Sequence, residues 1–423
     1  MRNRVFMVMI SWLRTIIRPR KHIAGNGLRI ALVDTFGEIG GGQKQLLDFA
    51  ICSQTREKAF IIAIVNASNH AFIALLRDAG ISYHCVEADL KRDRNNRTIF
   101  SLGNMRRVLR QAMRVRRVII DNKINVLQCF NFHSSTIGVM LGLSRTKCKL
   151  MMMHLSRRNQ TPGGMLDYLT YLVADAVTYN SKATKKSYES VAELFSVPQN
   201  ILYSLVLPPV SVSNELSIGE SGRFSNGDKN RKIIGYFGSI IEWKNIDRLI
   251  KAVKIANETE RSQSFFAVIV GGYIGETETE YETKIKDLAN SLIPEHHVIV
   301  PQQRDVFSIM NECDVLVLPS EEEPYGRVLV EAMYLRVPFV AVDSGGPREI
   351  WETSGPTVGS LVPSNDVNAL AAAIAEQARL GRARHMGLPS KFSVDEIINS
   401  HYEFLYALWN AKGAAESVAL TPN

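Results

Sequence analysis

The sequence predicts an α/β protein built from two doubly wound parallel sheets, and three observations carry the prediction. From Leu28 onward, short apolar, β-branched runs alternate with helix-length amphipathic segments, the order that winds helices around a parallel sheet. The 423 residues suffice for two domains, each with its own core. Between the two alternating halves lies Pro208 to Arg231, rich in Ser, Asn and Gly and poor in apolar side chains, which reads as a linker and loop.

The elements follow in order. In the first half the strand segments are Arg29–Thr35, Ala59–Val65, Val126–Phe132, Lys149–Met153, Ala176–Asn180 and Ile201–Leu205. In the second half they are Ile233–Gly238, Phe265–Gly271, His297–Pro301, Val315–Pro319 and Pro338–Asp343. Helical periodicity marks 43–54, 104–120, 182–195, 245–258, 279–292, 326–335 and 366–380. The tail 393–411 repeats apolar residues at helical spacing (Ile397, Ile398, Tyr402, Leu405, Tyr406, Trp409) and predicts a helix packing back toward the first domain. The expected organisation is therefore an extension (1–27), a first α/β domain (28–207), a linker (208–231), a second α/β domain (232–392) and a C-terminal helix (393–423). Two such domains facing each other would leave a cleft at the carboxyl ends of their strands, where open parallel sheets bind ligands.

Charge and cysteine narrow the function classes. The net charge of +8 is unevenly spread: residues 1–29 carry seven Arg/Lys and no acid, and residues 91–123 carry eleven against Asp93 and Asp121. Those stretches supply +7 and +9, so the remainder is −8, which speaks against a nucleic-acid coat over the whole surface. The five cysteines are odd in number, widely spaced and never Cys-x-x-Cys, which argues against a disulfide framework and a zinc site. No apolar run reaches the ~18 to 20 residues needed to cross a bilayer. The N-terminus instead sets Arg4, Ser11, Arg14, Thr15 and Arg18 against a broad apolar face that includes Trp12, the pattern of a helix lying in a membrane interface. A signal peptide or an organelle transit peptide is the rival, although Arg18-Pro19-Arg20-Lys21 stands where a small-residue cleavage site belongs.

Two loops carry candidate chemistry. After the first strand comes Phe36-Gly37-Glu38-Ile39-Gly40-Gly41-Gly42-Gln43, whose glycines let backbone N–H groups approach an anion before a helix. The dinucleotide fingerprint fails because Gln45 replaces its last glycine and Asn66, not an acid, ends the second strand. After the fourth strand of the second half comes Pro319-Ser320-Glu321-Glu322-Glu323-Pro324-Tyr325-Gly326-Arg327-Val328-Leu329-Val330-Glu331. The helix opening at Gly326 is expected to point the free N–H groups of Arg327, Val328 and Leu329 at the loop, which suits phosphate. Glu323 and Glu331 fall on the order of 10 Å apart, a spacing for two tasks on one extended ligand. Glu321 and Glu322 read as a solvated acidic edge.

On these residues the segment from Ile233 to about Val362 resembles the C-terminal domain of the family-4 retaining glycosyltransferases, which have the GT-B fold. Glu323 and Glu331 match the Glu-x7-Glu motif of that family, with Tyr325-Gly326 in its aromatic-Gly place. Ser344-Gly345-Gly346-Pro347-Arg348-Glu349 matches its glycine loop, Ile234-Gly235-Tyr236-Phe237-Gly238 through Lys244-Asn245 its phosphate-binding turn, and Gly40-Gly41-Gly42 its N-terminal glycine loop. The resemblance implies that Glu331 holds the nucleotide ribose, that Glu323 contacts the transferred sugar near the reacting carbon, and that Lys244 clamps the diphosphate. It further implies donor contacts from Gly41, Gly42, Ser239, Tyr325, Gly326, Arg327 and Val328. His154 matches the histidine that contacts the sugar or assists catalysis, with His133 a second candidate on the acceptor side. Ser239 departs from the family, which has an arginine there, and Arg327 is the cation placed to compensate. Leu207-Pro208-Pro209-Val210 replaces the usual Asn-Gly-Val-Asp turn.

Residues 104–120 add a stripe of Arg106, Arg110, Arg114 and Arg117, with Met105, Val108, Leu109 and Ala112 expected on the opposite, sheet-facing side. Attraction to anionic lipid would hold that domain at a membrane; RNA is a weaker partner because few aromatics are present to stack bases. The whole reading is a metal-independent, cofactor-free, retaining hexosyltransferase, peripheral on the cytoplasmic face of a membrane. Its donor would be a nucleotide-diphosphate sugar of UDP or GDP type, its acceptor a lipid-linked or membrane-presented glycan of polysaccharide or lipopolysaccharide synthesis. A covalent intermediate on Glu323 is the alternative to front-face transfer. The alternative functions are another GT-B enzyme, such as a nucleotide-sugar epimerase, and an inactive glycan- or nucleotide-binding subunit.

Overall fold

The computed structural model describes residues 27–410 apart from 38, 57, 88–101, 131, 144–147, 156–169, 172, 196–201, 206, 211–222, 226, 229, 273–278, 302–305 and 383–387. The expected amphipathic segment 1–26 lies outside the described residues. The chain divides into two units: Met1–Asn180, Thr184–Pro209 and Val394–Asn423 in one, Ser181–Ala183 and Val210–Ser393 in the other.

The first unit runs β1 (Arg29–Asp34), α1 (Gly41–Thr55), β2 (Phe60–Asn66), α2 (His70–Asp78), β3 (Tyr83–Val86), α3 (Leu102–Asp121), β4 (Val126–Cys129), α4 (Phe132–Leu143), β5 (Lys149–His154), β6 (Ala176–Tyr179), α5 (Lys182–Phe195) and β7 (Leu202–Leu205). The strands form one sheet in the order β3-β2-β1-β4-β5-β6-β7, parallel at every pairing. Strand order reverses between β1 and β4, the switch point where this topology opens a ligand crevice at the strand carboxyl ends. Because side chains alternate across a strand, β1 sends Ala31 and Val33 to one core and Ile30 and Leu32 to the other. The first core packs under α3 and α4, the second under α1, α2 and the C-terminal helix Val394–Asn410. That last helix seats Ile398, Tyr402, Leu405 and Leu408 beside Phe49 of α1.

α3 corrects one expectation. Val108, Ala112, Val115 and Ile119 face the sheet, but Leu109 points outward, 51% exposed. At 100° per residue Leu109 lies about 60° from Arg106 and on the solvent half of the helix. The side chain of Met105 lies outside the described residues.

The second unit runs β8 (Arg231–Phe237), α6 (Ile246–Thr259), β9 (Ser264–Val270), α7 (Glu280–Leu292), β10 (His297–Val300), α8 (Val306–Glu312), β11 (Val315–Leu318), α9 (Arg327–Tyr334), β12 (Phe339–Val342), α10 (Gly345–Ser354), β13 (Gly359–Val362) and α11 (Val367–Leu380). Its parallel sheet has the order β10-β9-β8-β11-β12-β13, with the switch between β8 and β11. The expected doubly wound class therefore holds in both units.

Candidate functional site

In the second unit the two segments that leave the switch point meet. β8 ends in Phe237, and Tyr236 donates its hydroxyl to the Ser239 carbonyl at 2.8 Å, which fixes the turn after the strand. A short 3-10 turn, Glu242–Lys244, follows and delivers Lys244. From the other strand, β11, the loop Pro319–Gly326 brings Glu323. The Lys244 ammonium donates to Glu323 Oε2 at 2.5 Å, and both side chains are largely shielded from solvent. The exposed indole of Trp243 lies beneath the same ammonium, 4.1 Å from it to the ring centroid. Lys244 is thus held between a carboxylate and an aromatic face, the second a contact worth about 0.5 to 2 kcal/mol.

The α9 end of the loop depends on glycine. Gly326 has φ +88°, a left-handed backbone that costs a side-chain residue roughly 1 kcal/mol or more, and from it α9 starts at Arg327. The first turn leaves N–H groups without helical partners, directed toward the loop. Gly346 lets the neighbouring turn close: a Cβ there would lie 2.3 Å from the Tyr325 backbone. Gly346 N donates to the Glu323 carbonyl at 3.1 Å, which ties the Ser344–Gly346 turn to the glutamate. Tyr325 is buried, and burial raises its hydroxyl well above the ordinary tyrosine range.

Arg327 Nε donates to Glu331 Oε1 at 2.8 Å, one helical turn on. The cation expected to compensate for Ser239 is therefore engaged with the expected ribose ligand. Glu321 is not the solvated edge residue expected for it. It accepts from Ser364 Oγ and Arg248 Nη1, both at 2.6 Å, and those bonds hold its carboxyl below the ordinary range. Glu322 is exposed. Among the described residues no group of His, Cys, Asp and Glu could hold a metal ion.

In the first unit, Gly41 and Gly42 open α1, and a buried network beneath them explains the turn. Asp34 Oδ1 accepts from Phe36 N at 3.0 Å and from Gln43 Nε2 at 2.8 Å, while Gln43 Oε1 accepts from Gly40 N at 2.8 Å. A Cβ on Gly42 would sit 3.5 Å from Asp34 Oδ2. A buried carboxylate under the turn opposes a second anion at the same helix start. His154 ends β5 with its ring stacked on Tyr188 at 4.0 Å and near Tyr179 and Tyr171 at 5.5 and 5.8 Å. Its Nε2 has no hydrogen-bond partner among the described residues, and burial pulls its pKa down to about 3. The imidazole is therefore neutral at physiological pH, a hydrogen-bonding group and not an acid.

His133 does not end a strand: β4 stops at Cys129, and His133 is the second residue of α4. An apolar run continuing through Phe130 masked the boundary; the His133 side chain lies outside the described residues. Arg106, Arg110, Arg114 and Arg117 all reach solvent from α3, and Arg114 pairs with Glu87 at 3.2 Å. Sequence reasoning missed Trp243, Asp34, Gln43 and the Arg248–Glu321 pair. Only Trp243 left a signal, as an aromatic directly before the candidate lysine.

Comparison with known proteins bears on both units. Residues 220–386 match the family described as glycosyl transferases group 1. The capsular polysaccharide biosynthesis glycosyltransferase CapM of Staphylococcus aureus is 28% identical over 41% of this chain and 45% of its own length. The lipopolysaccharide core biosynthesis mannosyltransferase LpcC of Rhizobium leguminosarum bv. viciae is 25% identical over 56% of this chain and 64% of its own. The chain thus spans about half to two-thirds of the length of these relatives. Anabaena HepE, solved in complex with UDP and glucose, superposes with a TM-score of 0.71 at 19% identity, covering 90% of this chain and all of its own, which places the fold among GT-B glycosyltransferases.

Proposed function

We propose, from the match of residues 220–386 to the group 1 glycosyl transferases, that the chain moves a hexosyl group from a nucleotide-diphosphate sugar to a membrane-presented glycan, with retention at the anomeric carbon. The observation that carries this reading is the Lys244–Glu323 pair, 2.5 Å apart at the β8/β11 switch point and beside the start of α9. A cation and unpaired helix N–H groups suit a departing diphosphate; a shielded carboxylate suits the positive charge that builds on the sugar.

In the proposed step the bond from the anomeric carbon to the diphosphate oxygen breaks. The acceptor oxygen bonds to the same face, and the acceptor proton passes to a phosphate oxygen of the leaving group. Lys244 exchanges its contact from Glu323 to the diphosphate as the donor enters, which frees Glu323 to face the sugar. Glu331 takes the ribose hydroxyls, with Arg327 fixing its rotamer. Gly326, Val328 and Tyr325 shape the phosphate end, and Ser239 lines the turn after β8. No resident metal or cofactor enters this scheme. In the first unit, neutral His154 serves as a hydrogen-bond partner for sugar hydroxyls, and the Gly41–Gly42 turn approaches an uncharged part of a substrate because Asp34 lies behind it. The relatives named for capsule and lipopolysaccharide synthesis support an acceptor of that kind, and the arginines of α3 support a peripheral position on an anionic cytoplasmic leaflet. Among the described residues no helix is long and apolar enough to cross the membrane.

The test is release of nucleoside diphosphate from a panel of UDP-, GDP- and ADP-sugars, followed by anomeric analysis of the product. Glu323→Ala and Lys244→Ala should each lower turnover by at least ~100-fold. Near-normal turnover in either variant, or an inverted product, would overturn the assignment.

A further inference from the structure

The outward face of α3 combines two features that a solvated helix face does not. Leu109, Met113 and Ile120 are 51%, 57% and 61% exposed, three of the six large hydrophobic side chains exposed among the described residues. Projected down the axis at 100° per residue, all three fall within about 40° of one another. Arg106, Arg110, Arg114 and Arg117 line one side of this strip and Arg116 the other, every one of them exposed. Behind it Val108, Ala112, Val115, Val118 and Ile119 are buried against the sheet, so the helix cannot turn its outer apolar strip inward. From Arg106 to Ile120 the strip extends about 20 Å along the surface.

We propose that α3 is inserted, not merely adsorbed, at the surface of an anionic bilayer: Leu109, Met113 and Ile120 enter the acyl boundary while the flanking guanidinium groups pair with lipid phosphates. An interface of this kind asks for the arrangement observed, an apolar strip edged by long cations whose stems reach back to the headgroups. A second copy of the chain is the less suitable occupant. A two-fold contact would set the same arginines against one another, with Glu87 beside Arg114 as an acidic neighbour among the described residues. A nucleic acid would use the cations, but it gains nothing from three aliphatic side chains on a helix with no aromatic among its residues. The inference deepens the membrane reading given above and rests on it.

The experiment uses the full chain and vesicles of phosphatidylcholine with or without phosphatidylglycerol. Wild type should partition onto the anionic vesicles and keep a measurable fraction bound in 0.5 M salt, where simple charge attraction is screened. The triple variant Leu109→Ser, Met113→Ser, Ile120→Ser should bind at least ~10-fold more weakly, with most of the loss at high salt. Because these side chains are exposed, its melting temperature should match wild type, and its release of nucleoside diphosphate from a soluble donor should be unchanged. Ile120→Trp adds a probe that reports on α3 itself, whatever residues 1–26 do: its emission should shift to the blue on anionic vesicles. Equal binding by the triple variant, or no shift of the probe on bound protein, overturns insertion; so does failure of wild type to bind vesicles. Arginine-dependent retention on RNA, or self-association abolished by the three serines, would assign the strip to another occupant. Loss of donor cleavage with vesicle insertion intact would strike the proposed reaction and leave this inference standing.

Discussion

Among single residues, Ser239 and Trp243 are the most informative. Arg327 is tied to Glu331, Arg248 to Glu321 and Lys244 to Glu323; of the three, Lys244 is the cation that the proposed reaction moves onto the diphosphate. Its two contacts pull in different ways: Glu323 offsets its charge, while the Trp243 ring orients it without neutralising it. Trp243→Ala should therefore raise the donor KM by about 3- to 10-fold, with Trp243→Phe close to wild type because a ring face remains. Indole fluorescence should change on titration with nucleoside diphosphate, and that signal should diminish in the phenylalanine variant. Ser239→Arg adds a cation at the turn after β8 and should tighten binding of the free diphosphate by about 10-fold. Unchanged affinity would mean that the turn does not face the diphosphate.

At the scale of elements, the C-terminal helix and β5 make the first unit acid-sensitive. His401 is 2% exposed, its ring 4.3 Å from that of Phe49, and neither ring nitrogen has a hydrogen-bond partner among the described residues. Burial lowers His401 and His154 from 6.5 to about 3. A lowered histidine pKa means that the unfolded chain takes a proton the folded one refuses. Each residue's contribution is complete above pH 6.5 and is lost as pH falls from there toward 3, by about 1.4 kcal/mol per pH unit. His401→Leu should accordingly gain stability over wild type as urea midpoints are followed from pH 7 to pH 5. Parallel pH slopes for the two proteins would remove His401 as a cause. The same scale shows what could be read from the sequence. Central strands such as β1, β8 and β11 are buried beyond their first one or two residues and announce themselves as apolar runs. Edge strands β3 and β13 are four residues long and partly exposed, so little apolar pattern survives in them. α4 is apolar on nearly every side because the sheet and α3 both cover it, and a helix without a polar stripe has no period to detect. α10 hid inside a segment whose Gly-Gly-Pro start reads as loop. The Lys244–Glu323 partnership, 79 positions apart in the chain, follows from strand order and not from local pattern.

For the whole molecule, the distribution of charge and the return of the C-terminal helix to the first unit matter most. The excess of positive charge in the first third is not spread over a sphere; in α3 it borders a strip of exposed aliphatic side chains. Deleting residues 394–423 tests the other feature. Ile398, Tyr402, Leu405 and Leu408 belong to the core under α1, and stripping several large side chains from a core costs about 2 to 5 kcal/mol each. The truncated chain should lose the cooperative melting of its first unit while the second unit retains its own transition. Two unaltered transitions would show the helix to be dispensable.

That placement also bears on how the protein is made. The segment that completes the first unit emerges from the ribosome only after the whole stretch Val210–Ser393 of the second unit. At cellular elongation rates this interval lasts roughly ten to forty seconds. During it the surface of α1 that will receive Tyr402 and Leu405 has no cover from its own chain. The second unit can fold as it is synthesised; the first must wait, and a nascent chain halted short of Val394 would present an open apolar seam to chaperones.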